Sequence, residues 1–130
     1  MGTSLMPTTA LYAALLAALF LILSVRVIRL RQALQVALGD ASEKSLSRAI
    51  RVHANFAEYV PLALLLIYFV ETSGAPQPLV HGLGLALLLG RALHAFGVSQ
   101  AREQLKFRVL GMVATFGVLG VSSLYLLYAY

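Results

Sequence analysis

The sequence predicts an all-α membrane protein, built as an up-down antiparallel bundle of four transmembrane helices. Of its 130 residues, 60% are hydrophobic and only 12% are charged, and the mean hydropathy is +0.85. A soluble domain of this size has too little interior to bury so much apolar surface. Four long apolar stretches, separated by short polar connections, supply the spans that this fold class requires. We therefore treat residues 1–130 as a single membrane domain.

The first apolar stretch, residues 8–25, contains no charged side chain. Its length suffices for a helix that crosses the hydrocarbon core of a bilayer, which needs about 20 residues. Basic residues follow this stretch and none precedes it, which is the reverse of the charge order in a secretory signal peptide. We therefore expect a retained transmembrane helix over about residues 8–28.

The second apolar stretch, residues 59–70, is too short to span a membrane by itself. Twelve residues of helix extend for about 18 Å, whereas the hydrocarbon core is about 30 Å thick. The helix must therefore extend backwards through Glu58 and Asn55, to Arg51 or beyond. This argument predicts a helix over about residues 47–72, with two polar side chains at membrane depth.

The third and fourth spans are predicted at about residues 78–98 and 107–130. A polar turn that contains Gly74, Pro76 and Pro78 separates the second span from the third, because these residues interrupt helices. The third span carries Arg91 and His94, and the fourth is free of charge from residue 109 onwards. Small residues in both helices predict close helix packing: Gly82, Gly84, Gly90, Gly111, Gly117 and Gly120.

The distribution of the basic residues predicts the orientation of the bundle. All ten lie in or near the first and third connections: Arg26, Arg29, Arg31, Lys44, Arg48, Arg51, Arg91, Arg102, Lys106 and Arg108. Loops rich in lysine and arginine stay in the cytoplasm, so both chain termini are predicted outside. The net charge of +5 is therefore a topology signal, and nucleic acid is not an expected partner.

Cysteine is absent from the chain, and this excludes disulfides, a catalytic protein thiol and a thiolate metal site. The three histidines have no spacing that is typical of a metal site, so no metal is expected. Any sulfur chemistry requires a thiol that arrives with a substrate.

A polar stripe runs along one face of the second helix. Arg48, Arg51, Asn55, Glu58 and Leu62 are spaced by three, four, three and four residues, which places them on one face, with His53 roughly opposite. Ionisable groups beside lipid are costly and usually mark a functional site. Arginine is suited to bidentate binding of carboxylates. The stripe therefore predicts a binding site for a small anion that enters from the cytoplasmic side.

Glu58 and Arg91 are predicted to form an ion pair, within one subunit or across an interface. Each lies about 20 Å from the turn that joins their helices, at the rise of an α-helix, and desolvated charges in a bundle need partners. A purely structural interpretation stays open, in which this pair locks the bundle and Asn55 is an interhelical hydrogen-bonding residue.

The segment from Arg51 to Leu62, RVHANFAEYVPL, closely resembles the signature of the MAPEG family, the membrane-associated proteins of eicosanoid and glutathione metabolism. The resemblance rests on an arginine, an asparagine four residues later, a glutamate three further, then a tyrosine and a proline. These are Arg51, Asn55, Glu58, Tyr59 and Pro61. The chain length, the four spans and the basic third connection also agree with the family pattern, so the resemblance covers nearly the whole chain.

The resemblance implies a homotrimer with a glutathione site between neighbouring subunits, near the cytoplasmic side. Glutathione would be the cosubstrate, and Arg108 would face its sulfur. A cation beside a thiol favours the reactive thiolate. The thiolate would then attack a lipophilic electrophile or hydroperoxide from the membrane lipid. The expected site residues are Arg91 and Arg108 as catalytic residues, and Arg48, Arg51, Asn55, Glu58, Tyr59 and His94 for glutathione.

Two departures from the family pattern keep other functions open. Ala54 stands where some members have a second arginine, and Val98 where several have a tyrosine. The family includes non-enzymatic lipid-binding members, so a fold alone does not establish activity. A non-catalytic lipid- or thiol-binding protein and a structural membrane trimer are the alternatives to a glutathione transferase or peroxidase. The compact connections favour a multi-pass protein of the bacterial inner membrane.

Overall fold

The computed structural model describes residues 6–100, 102 and 104–130, and these residues form four helices without any strand. The helices are α1 (Thr8–Leu34), α2 (Lys44–Thr72), α3 (Gln77–Ser99) and α4 (Leu105–Ala129). Each is long enough and apolar enough to cross a membrane. The predicted fold class, an all-α membrane bundle of four helices, is confirmed.

Contacts at the helix ends show that successive helices run in opposite directions. The start of α1 contacts the end of α2, because the backbone N–H of Thr8 donates to the Glu71 carboxylate at 2.7 Å. Arg26, near the other end of α1, donates a hydrogen bond to Ser99 at the end of α3. We call the end of the bundle with the α1–α2 and α3–α4 connections the basic end, since the arginines and lysines gather there.

All four helices are longer than the sequence predicted, and the difference is largest for α1 and α2. α1 continues six residues past residue 28, because arginine and glutamine are good helix formers and no helix breaker precedes Gly39. It ends where Gln35 adopts a left-handed conformation, with φ of 54°. α2 begins at Lys44 and continues through Pro61, so the predicted backward extension past Asn55 is confirmed.

Helices α3 and α4 approach each other closely through glycine. A Cβ added at Gly90 would lie 2.8 Å from the Ala114 Cβ, and one added at Gly111 would lie 2.7 Å from the His94 Cβ. Gly97 packs equally closely against the backbone of Arg108. Only glycine permits backbones to come this near.

The prediction of close packing is confirmed for Gly84, Gly90 and Gly111. It is wrong, within the described part of the chain, for Gly82, Gly117 and Gly120, since an added Cβ there would meet no atom within 4 Å. These three glycines lie on helix faces that no other helix covers. Periodicity alone does not distinguish a covered face from an uncovered one.

Hydrogen bonds join α1 to α2 at two places along its length. At its start, the Glu71 carboxylate accepts hydrogen bonds from the backbone N–H groups of Thr8 and Thr9 and from the Thr9 hydroxyl. Nearer the basic end, His53 Nε2 lies 3.0 Å from the Ser24 hydroxyl, and its ring stacks on Phe20. His53 therefore faces α1, on the side of α2 away from the polar stripe, as its spacing predicted.

The rotation of α2 about its own axis determines which residues of the polar stripe face the core and which face outwards. Its buried side chains, from Leu46 to Val70, define the face that packs in the core. At 3.6 residues per turn, Arg48 and Asn55 lie nearest that face and Glu58 lies farther around the helix. Accordingly, Arg48 and Asn55 are half-buried, whereas Arg51 and Glu58 are exposed.

Candidate functional site

A cavity of about 150 Å³ opens near the basic end, between α2, α3 and α4. Four of the lining residues come from α2, two come from the last two turns of α3, and one comes from the first turn of α4. The lining residues are Ser47, Arg48, Arg51, Asn55, His94, Val98 and Arg108. Three helices thus bring three arginines, an asparagine and a histidine to one small space.

Arg91 lies behind the cavity wall and is almost completely buried, with 1% of its surface exposed. Its Nη2 donates to Asn55 Oδ1 at 2.5 Å and to His94 Nδ1 at 3.4 Å. Its Nη1 donates to the Thr115 hydroxyl oxygen at 3.3 Å. A single guanidinium therefore connects α2, α3 and α4 and fixes two side chains that line the cavity.

The remaining contacts of Arg91 are also with neutral groups. Met112 Sδ lies 3.6 Å from Nη1, and the ring of Phe56 lies 5.9 Å from the guanidinium carbon. Hydrogen bonds and a cation–π contact offset part of the cost of desolvating a charge, but they do not neutralise it. The bundle core thus holds a positive charge that forms no ion pair with a carboxylate of the described residues.

The charged side chains that line the cavity, among the described residues, are arginines. No aspartate or glutamate of the described ranges lines it. The Nε groups of Arg48 and Arg91 are buried, and neither has a hydrogen-bond acceptor among the described residues. Buried donors without acceptors are uncommon and costly. The three lining arginines and the unsatisfied Nε of Arg48 suit an anion with oxygen acceptors.

The predicted ion pair between Glu58 and Arg91 is wrong within one chain. Arg91 contacts Asn55, which lies one helical turn nearer the basic end, and Glu58 forms no hydrogen bond or ion pair with any described residue. The depth argument compared distances along two helices but omitted the rotation of α2, which turns Glu58 towards the surface. A pair across a subunit interface stays a prediction.

The eight predicted site residues fall into three groups. Five line the cavity: Arg48, Arg51, Asn55, His94 and Arg108. Arg91 is bonded to two of these five but does not itself line the cavity. Glu58 and Tyr59 also lie outside it: Glu58 is exposed, and Tyr59 packs edge-on against Phe116, with ring centroids 5.5 Å apart.

Thr115 is a component of the site that the sequence did not reveal. Its hydroxyl donates to the Gly111 carbonyl at 2.8 Å, which leaves the oxygen free to accept from Arg91. A threonine in an apolar helix usually bonds to its own backbone in this way. No local pattern therefore distinguishes this threonine from any other in a membrane span.

Comparison with known proteins agrees with this architecture. The MAPEG family model matches residues 9–128, which is nearly the entire chain. The inner membrane protein YecN of two Escherichia coli strains is 42% identical over 107 residues, covering 82% of this chain and 80% of YecN. Together with four spans, this likeness supports a multi-pass protein of the bacterial inner membrane. By the extent of the family match and the identity to YecN, the chain belongs to the MAPEG family.

Proposed function

We propose that the protein is a glutathione-dependent transferase or peroxidase that acts on lipophilic electrophiles in the membrane. The observation that carries the proposal is the convergence of Arg48, Arg51 and Arg108, from two helices, on one cavity whose described lining residues include no carboxylate. Membership of the MAPEG family suggests a role in glutathione or eicosanoid metabolism. Glutathione carries two carboxylates and a thiol, and it is therefore an anion that this cavity can attract.

The size of the cavity supports an assembly of several chains. About 150 Å³ is smaller than the roughly 300–1,000 Å³ of typical small-molecule sites, so one chain encloses only part of glutathione. In a homotrimer, a neighbouring subunit would cover the remainder. Glu58 is exposed on the same stripe and forms no hydrogen bond or ion pair with a described residue, so its carboxylate is accessible to the glutathione amine.

The proposed roles of the side chains rest on the family resemblance, and the positions of these side chains around the cavity support them. Arg48 and Arg51 bind carboxylate groups, for which the guanidinium fork is well suited. Asn55 contacts the peptide in an orientation that Arg91 fixes, so Arg91 is a positioning residue. Arg108 lines the same cavity from α4. We assign it to the glutathione sulfur by the family resemblance, because a cation there favours thiolate over thiol.

The chemistry then needs only the thiolate and a lipophilic acceptor. In transfer, the sulfur electron pair forms a carbon–sulfur bond, and the leaving group departs with its own electron pair. In peroxidase chemistry, two glutathione molecules are oxidised to their disulfide, while the hydroperoxide is reduced to an alcohol and water. Neither route requires a cysteine, a metal or a protein nucleophile.

Glutathione binding and thiolate absorbance test the proposal directly. The purified protein is titrated with glutathione, and turnover is followed with chlorodinitrobenzene and with cumene hydroperoxide. Arg51→Gln should weaken binding about tenfold or more, since a charge-assisted hydrogen bond contributes roughly 1.5–3 kcal/mol. Arg108→Gln should abolish the thiolate signal while some binding remains.

Lys106→Gln is the matched control, since this exposed lysine of α4 does not line the cavity. It removes one positive charge from the same end of the bundle and should leave binding and thiolate absorbance unchanged. Equal behaviour of Arg51→Gln, Arg108→Gln and Lys106→Gln would reject the assignment of the site.

A second candidate function is non-catalytic binding of a thiol or lipid metabolite. Val98 favours it, because this side chain lines the cavity where several family members have a tyrosine. The cavity consequently lacks a phenolic hydroxyl that would stabilise a bound thiolate or substrate. Saturable glutathione binding without thiolate absorbance, and without turnover of either acceptor, would favour the binding protein over the enzyme.

A further inference from the structure

The start of α4 is packed against the end of α3 at a single glycine. A Cβ added at Gly97 would lie 2.7 Å from the backbone nitrogen of Arg108, 2.9 Å from the Gln104 carbonyl oxygen and 3.1 Å from the Phe107 Cβ. Non-bonded atoms ordinarily stay about 3.5–4.0 Å apart. Two of the three neighbours are backbone atoms, so they cannot give way unless the first turn of α4 moves as a whole.

Hydrogen bonds and a ring contact hold the same place together. The backbone N–H of Gln104, the N-cap residue of α4, donates to the Gly97 carbonyl at 3.0 Å. The Gln104 carbonyl in turn accepts from the N–H groups of Phe107 and Arg108, at 3.1 and 3.2 Å. The Phe96 ring packs edge-on against Phe107, with centroids 5.6 Å apart. We call these four residues, Phe96, Gly97, Gln104 and Phe107, the α3–α4 junction.

A second close contact lies farther along the two helices, at Gly90 and Gly111. Gly90 precedes Gly97 by seven residues, or about two turns, so both glycines lie on the face of α3 that meets α4. Two contacts along a helix fix its direction as well as its distance from the neighbour. The backbone of Arg108 therefore has one position relative to α3.

The α3–α4 junction borders the candidate site. Val98, which follows Gly97, lines the cavity from α3, and Arg108 lines it from α4. Arg108 is exposed, so no surrounding core confines its side chain. The distance from its guanidinium to a ligand in the cavity consequently depends on where its backbone stands. The attraction between two charges falls as the distance between them grows.

We propose that Gly97 is a positioning residue, which sets the distance between the Arg108 guanidinium and the sulfur of a bound thiol. The inference rests on the proposed function, in which Arg108 favours thiolate. Gly97 is not among the described residues that line the cavity, so it acts through Arg108. A side chain at this position would displace the start of α4 by about 1 Å, from the contact distances above. A displacement of that size in a catalytic group lowers the reaction rate strongly.

The pH dependence of thiolate absorbance, measured on the full-length protein at saturating glutathione, tests this role. In Gly97→Ala, the thiolate fraction at pH 7 should fall about threefold, which is part of the tenfold or greater effect of a nearby cation on an anion. The whole curve should move to higher pH, because a thiolate that is less stabilised forms only when fewer protons are available. Glutathione binding should change little, since Arg48 and Arg51 of α2 are retained.

Gly84→Ala is the matched control, because it makes the same substitution in the same helix. An added Cβ at Gly84 would press against the Tyr12 ring, far from the cavity. Gly84 precedes Gly97 by thirteen residues, which is about 20 Å of helix. This variant should lose stability through overpacking, and its thiolate curve should match that of the wild type. The comparison separates a loss of stability from a loss of positioning.

Phe96→Leu provides a second variant, which decides the question if Gly97→Ala does not fold. Phe96 is 53% exposed, so its replacement removes the ring contact with Phe107 without disturbing the core. Its thiolate curve should move in the same direction as that of Gly97→Ala, by a smaller amount. Wild-type curves in both variants, or equal shifts in Gly97→Ala and Gly84→Ala, would overturn the role of Gly97. Absence of a thiolate signal in the wild type would instead overturn the proposed function, and this inference with it.

Discussion

Arg91 on α3 donates a hydrogen bond of 2.5 Å to the side-chain oxygen of Asn55 on α2, and this bond joins the buried core to the wall of the cavity. Asn55 lines the cavity, whereas Arg91 lies behind it with 1% of its surface exposed. The family signature on α2 and the basic residues on α3 are therefore parts of one hydrogen-bonded unit. A further hydrogen bond, from Arg91 to the hydroxyl oxygen of Thr115 in α4, extends this unit to a third helix.

Removal of the Asn55 carboxamide should destabilise the bundle. In Asn55→Ala, the buried guanidinium loses its shortest hydrogen bond, and we expect a loss of about 1–3 kcal/mol in the free energy of unfolding. Reversible unfolding in mixed detergent micelles, without glutathione, measures the loss. Glu58→Gln is the control, since Glu58 is exposed and has no bonded partner among the described residues. Equal stability of both variants would contradict a structural role for the Arg91–Asn55 bond.

An added methyl group at the α3–α4 contact should also destabilise the protein. In Gly90→Ala, the new Cβ would lie 2.8 Å from the Ala114 Cβ and 3.2 Å from the Gly111 carbonyl oxygen. Overpacking of this kind costs about 1–3 kcal/mol. Thermal unfolding followed by circular dichroism provides the measurement.

The matched control for Gly90→Ala is Gly120→Ala, because an added Cβ at Gly120 meets no atom within 4 Å in the described chain. Alanine is the better helix former, so this variant should be as stable as the wild type or slightly more so. A greater loss in Gly120→Ala than in Gly90→Ala would show that α4 packs in a different rotation.

Loss of the Glu71 carboxylate should free the first turn of α1. Its two oxygens accept from the backbone N–H groups of Thr8 and Thr9 at 2.7 and 2.9 Å, which satisfies donors that have no partner inside the helix. Glu71→Ala should lower stability by about 0.5–2 kcal/mol, as expected for loss of a helix cap. Amide hydrogen exchange should increase at the start of α1.

Glu43→Ala provides the comparison for Glu71→Ala. Glu43 precedes α2 as its N-cap residue, but its side chain makes no capping hydrogen bond. The Glu43→Ala variant therefore removes one carboxylate from the start of a helix without removing a hydrogen-bond acceptor for that helix. Equal exchange at the start of α1 in both variants would reject the capping role of Glu71.

The predicted orientation, with both termini outside, can be tested without background because the chain has no cysteine. Leu38→Cys places a thiol in the α1–α2 connection, where Leu38 is 90% exposed, and Ser73→Cys places one at the opposite end of the bundle. A membrane-impermeant maleimide should label Ser73→Cys in intact spheroplasts. It should label Leu38→Cys only after the membrane is permeabilised. The reverse pattern would invert the topology.

The number of spans, the fold class and the residue types of the candidate site are predictable from the sequence. The length of each apolar stretch predicts the spans because a bilayer imposes a minimum length on any helix that crosses it, whatever the neighbouring helices are. The short second stretch required α2 to begin before Asn55, and the spacing of the stripe placed Arg48, Arg51 and Asn55 on one face. These arguments involve one helix at a time, and the structure bears out the fold, the backward extension of α2 and the shared wall of the cavity.

Which of these residues meet depends on how the helices pack against one another. Glu58 and Arg91 lie at the same predicted depth in the membrane. The rotation of α2 nevertheless exposes Glu58 and places Asn55 within hydrogen-bonding distance of the Arg91 guanidinium. Thr115 joined the site from 24 residues away, and only three of the six predicted glycines lie at close contacts. Helix rotation depends on how side chains of all neighbouring helices fill the shared interior, and no pattern within a single helix contains that information.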